Sequence, residues 1–105
     1  MKIIFRKWKT KHNPSCIALF PEMPGDTDGN LCQSYEHFGQ HSAADYATVI
    51  NKTRPAIPKE YGPLLLELIG IGYKNIQICQ KADRRMFLAR QKEAQRIKDL
   101  VQNNA

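Results

Sequence analysis

Long apolar runs are missing from this chain. Nothing in its 105 residues approaches the roughly 20 consecutive apolar positions that a bilayer-spanning helix needs. A membrane partner is therefore not expected. A signal-peptide core is missing too, because Ile3 to Phe5 are followed at once by Arg6 and Lys7. The expected compartment is the cytoplasm. There is no C-x-x-C pair, no internal repeat and no low-complexity tract. The three cysteines, Cys16, Cys32 and Cys79, are odd in number and are expected as buried free thiols. A zinc site built from them and a histidine is the alternative. Hydrophobic residues make up 42%, ordinary globular usage, which argues against disorder.

Anions are absent where cations are densest. Residues 1–11 hold five cations and no carboxylate. Residues 81–105 hold seven cations against three carboxylates, whereas 12–80 hold four cations against seven. The net +6 is thus concentrated at the two ends. Such asymmetry points to nucleic acid or an acidic protein surface as partner. A merely solvated surface is the competing explanation.

The pattern predicts an α+β fold. Strands are expected at 2–9, at 15–20 and at about 31–38, forming an antiparallel meander with a turn at Asn13-Pro14. Residues 42–50 suit a short helix capped by Ser42, or a strand. A helix is expected at about 58–69, with Pro58 in its first turn and Gly70 or Gly72 at its end. Gly62-Pro63 either kinks it or moves its start to Pro63. Residues 73–79 alternate like a last strand. A helix at about 81–102 places Met86, Ala89, Arg90, Ala94, Ile97 and Val101 on one stripe. The expected architecture is a three- or four-stranded, mainly antiparallel sheet with one packed helix and a basic C-terminal helix. The chain divides into a compact domain at 1–80 and a helical extension at 81–105, through which two copies could associate.

Two groups of residues could carry function. Arg6, Lys7, Trp8 and Lys9 on the first strand, with Arg84, Arg85 and Arg96 on the last helix, are candidates for contact with a polyanion. In the first strand, Arg6 and Trp8 share one face, Lys7 and Lys9 the other. Trp8 could stack on a base or belong to the core. The second group is a polar loop of His37, Gln40, His41, Asp45 and Tyr46 after a strand end, where a rigid sheet can position side chains. His37 and His41 have the H-x-x-x-H spacing of metal ligands, but that spacing matters on a helix and Phe38-Gly39 argues against one. His41 activating Ser42 or a cysteine is the catalytic alternative, although no nucleophile elbow is present. The structural alternative is that these side chains satisfy strand-end backbone groups.

The stretch from Gln40-His41 through Thr53-Arg54-Pro55-Ala56, Pro58, Glu60-Tyr61 and Ile71-Gly72-Tyr73 resembles small uncharacterised proteins encoded in bacterial phages and mobile elements. The resemblance covers about residues 15–80. Ile57 and Lys59 replace that family's Thr and first Glu, and Gly62-Pro63 is a further departure. The resemblance implies an accessory protein of a phage or mobile element and no particular activity. The expectation is a non-enzymatic binding module without a cofactor, engaging nucleic acid first. The alternatives are a regulator or inhibitor of a host complex such as a defence nuclease, and a small metal-dependent enzyme using His37 and His41.

Overall fold

The computed structural model describes residues 1–10, 15–37 and 39–103. Asn13-Pro14 and Phe38 lie outside these residues. The elements, in chain order, are β1 (Lys2–Trp8), β2 (Cys16–Pro24), β3 (Cys32–Glu36), β4 (Gln40–Ala44), α1 (Tyr46–Lys52), β5 (Thr53–Pro55), α2 (Pro58–Ile71), β6 (Gln77–Cys79) and α3 (Arg84–Asn103). The sheet runs β4-β3-β2-β1-β5, and β6 also pairs with β1. The fold is α+β with a mainly antiparallel sheet, as the pattern predicts, but among the described residues it has six strands rather than three or four.

The free side of β1 is shared by two short strands. β5 pairs antiparallel with Arg6 to Trp8, and β6 pairs parallel with Lys2 to Ile4. Helix α2 makes the passage between them.

Alternation along β1 and β2 supplies two apolar faces, because successive side chains point opposite ways. Ile3, Phe5, Cys16, Ala18, Phe20 and Tyr35 meet Leu64 and Leu68 of α2 on one face. Ile4, Ile17, Leu19 and Cys32 meet Ala44 and Val49 on the other, with Trp8, Tyr46 and Ala82 against them. This double covering explains the continuous apolar run in β2. We call these the α2 face and the α1 face.

Several elements differ from expectation for local reasons. Gly39 at φ 78° turns the chain back, so β4 pairs with β3 from Glu36↔Gln40 to Cys32↔Ala44. Ser42 is therefore a strand residue, not a helix cap. The cap is Asp45, whose carboxylate accepts from Ala47 N (3.2 Å) and Thr48 Oγ1 (3.1 Å). Helix α2 starts at Pro58 and runs through Pro63 without a break. Pro63 is exposed, so water can reach the Lys59 carbonyl that lacks its usual donor. Gly72, at φ 124°, ends the helix by donating to Ile69 O and Leu68 O. Only the end of the expected 73–79 strand forms, because Asn75 at φ 56° turns the chain before Gln77.

The division at residue 80 does not match the packing. Met86, Arg90 and Ala94 of α3 are buried, and α3 lies along β2. Gly29, at φ 74°, lets the 24–31 loop approach so closely that a Cβ there would sit 3.1 Å from Gln91 Cα. The first half of α3 is part of the body; beyond Ala94 the helix becomes largely exposed.

Candidate functional site

The basic residues of β1 separate into different environments. Arg6 is 7% exposed and is no surface cation. Its Nε donates to Thr53 Oγ1 (2.9 Å), and Nη2 donates to Thr53 O (2.8 Å) and Ile50 O (3.2 Å). It thus closes the C-terminal end of α1, where carbonyls gather and a cation is favoured. Burial lowers its pKa from the ordinary value, yet a guanidinium stays charged. Arg6 is corrected from partner-binding to structural. Trp8 is half-buried against the α1 face, with Nε1 donating to Glu36 Oε2 (3.2 Å). Lys7 shares the parity of Ile3 and Phe5 and lines a 300 Å³ hollow with Cys16, His37, Glu60 and Leu64. Lys9 is exposed.

Helix α1 brings the two basic ends of the chain together. At one end of it, Lys9 N donates to Lys52 O (3.4 Å). At the other, Ala82 N donates to Tyr46 OH (2.8 Å), so the residues leading into α3 start beside the first turn of α1. Lys9 and Lys52 therefore lie at one end of a seven-residue helix; Lys81 adjoins the residue bonded to the first-turn tyrosine at the other, and Arg84 and Arg85 follow at the start of α3. The rise of such a helix is about 10 Å. All five are exposed, and none has a carboxylate partner among the described residues. Arg96 is different: Nε and Nη2 hold Glu93 at 2.9 and 2.5 Å, one turn apart on α3.

Carboxylates are mostly consumed inside the fold. Asp45 and Asp83 cap helices, Asp26 accepts from Leu31 N, and Glu36 takes the Trp8 indole. Glu67 takes Tyr35 OH and His37 Nδ1 (2.6 Å). Only Glu60, Glu93 and Asp28 face a lysine or arginine among the described residues. Apart from Lys98, which holds Asp28, the lysines are correspondingly left without counter-charges among the described residues.

The expected polar loop splits in two. His37 and His41 turn to the α2 face and join Tyr35, Glu67 and Tyr73. The Tyr35 ring meets His41 edge-on at 4.6 Å, His41 Nε2 and Tyr73 OH share a hydrogen bond at 3.0 Å, and Tyr73 stacks on Phe20 at 5.2 Å. Tyr35 OH also accepts from Gly39 N (3.1 Å), fixing the turn. The Glu67 carboxylate raises the Tyr35 pKa, so the phenol stays protonated. Asp45 and Tyr46 instead serve α1, and Gln40 is exposed on β4.

No group of three or more His, Cys, Asp or Glu able to hold a metal ion occurs among the described residues. Cys16 donates to Glu60 O (3.5 Å), and burial pushes its thiol up, as it does that of Cys32. A thiol kept protonated is a poor nucleophile. Sequence reasoning missed Glu67 and Tyr73, which lie 32 residues from Tyr35 and His41. No protein-family model, curated protein or solved structure matched this chain.

Proposed function

We propose that the protein is a non-enzymatic binding module for an acidic polymer, nucleic acid first, engaged through the cations at the two ends of α1. The observation that carries this reading is the convergence of Lys9 and Lys52 with Lys81, Arg84 and Arg85 about one short helix, all exposed and lacking carboxylate partners among the described residues. An α1 rise of about 10 Å matches roughly three nucleotides at 3.4 Å each along one strand. Contact would be to phosphates and would not read sequence. A place as an accessory protein of a phage or mobile element fits such a role.

The test is fluorescence anisotropy with single- and double-stranded DNA and RNA across a salt series. Affinity should fall steeply with salt. Replacing Lys52, Arg84 or Arg85 by alanine should each weaken binding to every sequence and lower the salt slope by about one. Arg96→Ala should leave binding nearly unchanged, because Glu93 already neutralises that guanidinium. Absence of binding to all four polymers at low salt would defeat the reading.

A second reading rests on the far end of α3. Ile97, Leu100 and Val101 are 43%, 48% and 66% exposed, beside a 190 Å³ groove lined by Asp26, Thr27, Ala94 and Lys98. A regulator of a host complex would seat its protein partner there.

A further inference from the structure

The two lateral edges of the sheet are built differently. On one side β5 and β6 divide the edge into two three-residue pieces of opposite direction, and β5 carries Arg54 and Pro55. Short strands, a charge and a proline are the usual means of keeping an edge from pairing with another chain. The other edge is β4, Gln40–Ala44. It pairs with β3 in unbroken register over all five residues, and nothing pairs with its outer side among the described residues. It contains no lysine, arginine, carboxylate or proline. Gln40 to Ala43 are exposed, and the His41 ring is drawn onto the α2 face by Tyr35 and Tyr73.

From this asymmetry we infer that β4 is a self-association edge, where a second copy of the chain adds its own β4 antiparallel about a two-fold axis. A second copy fits this edge because the strand is self-complementary about a two-fold axis, and charge selects this edge over the other. Two chains of net +6 repel, so they meet best where charge is lowest. Strand β4 lies three strand spacings from β1, roughly 14 Å and more than a Debye length from the Lys9 end of the molecule. Pairing through β5 would instead bring Arg54 of each copy together. Centred on Ser42, the antiparallel seam sets Ser42 opposite Ser42 and His41 opposite Ala43, with no like charges facing. Antiparallel pairing keeps opposed side chains on the same side of a sheet. Both α1 faces would then lie on one side of a continuous sheet. The inference stands whether or not those faces bind nucleic acid.

The test is sedimentation of the full chain from about 10 µM to about 1 mM, a range suited to a seam of five residues per strand. The mass should rise from one chain toward two. Ser42→Lys, which faces a lysine with its symmetry mate, should move the midpoint up at least about tenfold with an unchanged far-ultraviolet spectrum. In the wild-type protein, amide exchange within β4 should slow as concentration rises, which decides the matter even if the variant folds poorly. A one-chain mass throughout would overturn the inference. So would a wild-type dimer whose β4 amides exchange at the same rate at every concentration, or one that Ser42→Lys leaves intact, which would place the contact elsewhere, such as Ile97 and Val101 of α3.

Discussion

On the α2 side of the sheet, Ile3, Phe5, Phe20, Leu64 and Leu68 pack carbon against carbon, and polar groups are held at the rim in the Tyr35, His37 and Glu67 contact. On the opposite side, two guanidiniums are built in. Arg6 closes the end of α1, and Arg90, 5% exposed, donates to Gly29 O (2.8 Å) and Pro21 O (3.2 Å). Neither has a carboxylate partner among the described residues. Backbone carbonyls left over by a helix end and by a bulged strand take the place of a counter-ion. The comparison teaches that positive charge is not one property of this chain. Some cations are internal donors, and only the remainder can meet a partner.

The largest effect should come from removing the helix that carries Arg90. Ending the chain at residue 80 uncovers β2 and leaves Pro21 O and Gly29 O without their donor. Loss of cooperative unfolding by circular dichroism is expected. Ending it at residue 97 should leave a folded protein. A cooperative 1–80 fragment would show that the α1 face closes without α3. Next comes Leu68→Ala, a fully buried residue of α2 on the α2 face, which should cost about 3 kcal/mol in urea unfolding. Arg6→Met should cost less, about 2 kcal/mol, because apolar bulk is retained while carbonyls lose a charged donor. Arg6→Lys should recover only part, since one ammonium cannot reproduce the planar fork that spans Ile50 O and Thr53. If Arg6→Met proved more damaging than Leu68→Ala, the polar face would be the more demanding of the two.

How much of this was legible in the sequence depends on whether a contact is periodic or long-range. β1, β2, β3, α2 and α3 follow from alternation and helical spacing. So does the placing of Arg90, which falls on the stripe of Met86 and Ala94. The burial of Arg6 had a signal as well, since it shares parity with Ile4. Strand β4 was hidden because Gln40, His41 and Ser42 are small or polar and lack strand propensity. It forms because Gly39 permits a tight turn and β3 offers an edge. The cluster of Tyr35, His37 and Glu67 was out of reach, because nothing local relates β3 to the middle of α2. Convergence of the basic ends required the same knowledge of topology.

A third guanidinium gives the smallest effect and the sharpest contrast. Arg54, on the edge strand beside α2, does have a carboxylate: Nη1 and Nη2 grip Glu60 at 2.8 and 2.5 Å. With Ile57 N also donating (3.1 Å), the Glu60 carboxyl is lowered to about 2. A depressed carboxylate stabilises the fold above its unfolded pKa, and that contribution fades as pH falls from the ordinary value of 4.5 toward 2. Among the described residues Arg6 and Arg90 donate to carbonyls and a hydroxyl, and Arg90 also lies over the Phe87 ring; none of these groups titrates there, so their contacts should not change across that window. Solvent exposure keeps the Glu60 contribution small. Carbon-detected titration should therefore place Glu60 near its low value in the wild type. In Arg54→Ala its midpoint should climb back toward the ordinary range, stopping short of it because the Ile57 amide remains. Equal midpoints in the two proteins would mean that the helix end, and not the guanidinium, holds Glu60 ionised. The pH dependence would then belong to α2 itself, not to this pair.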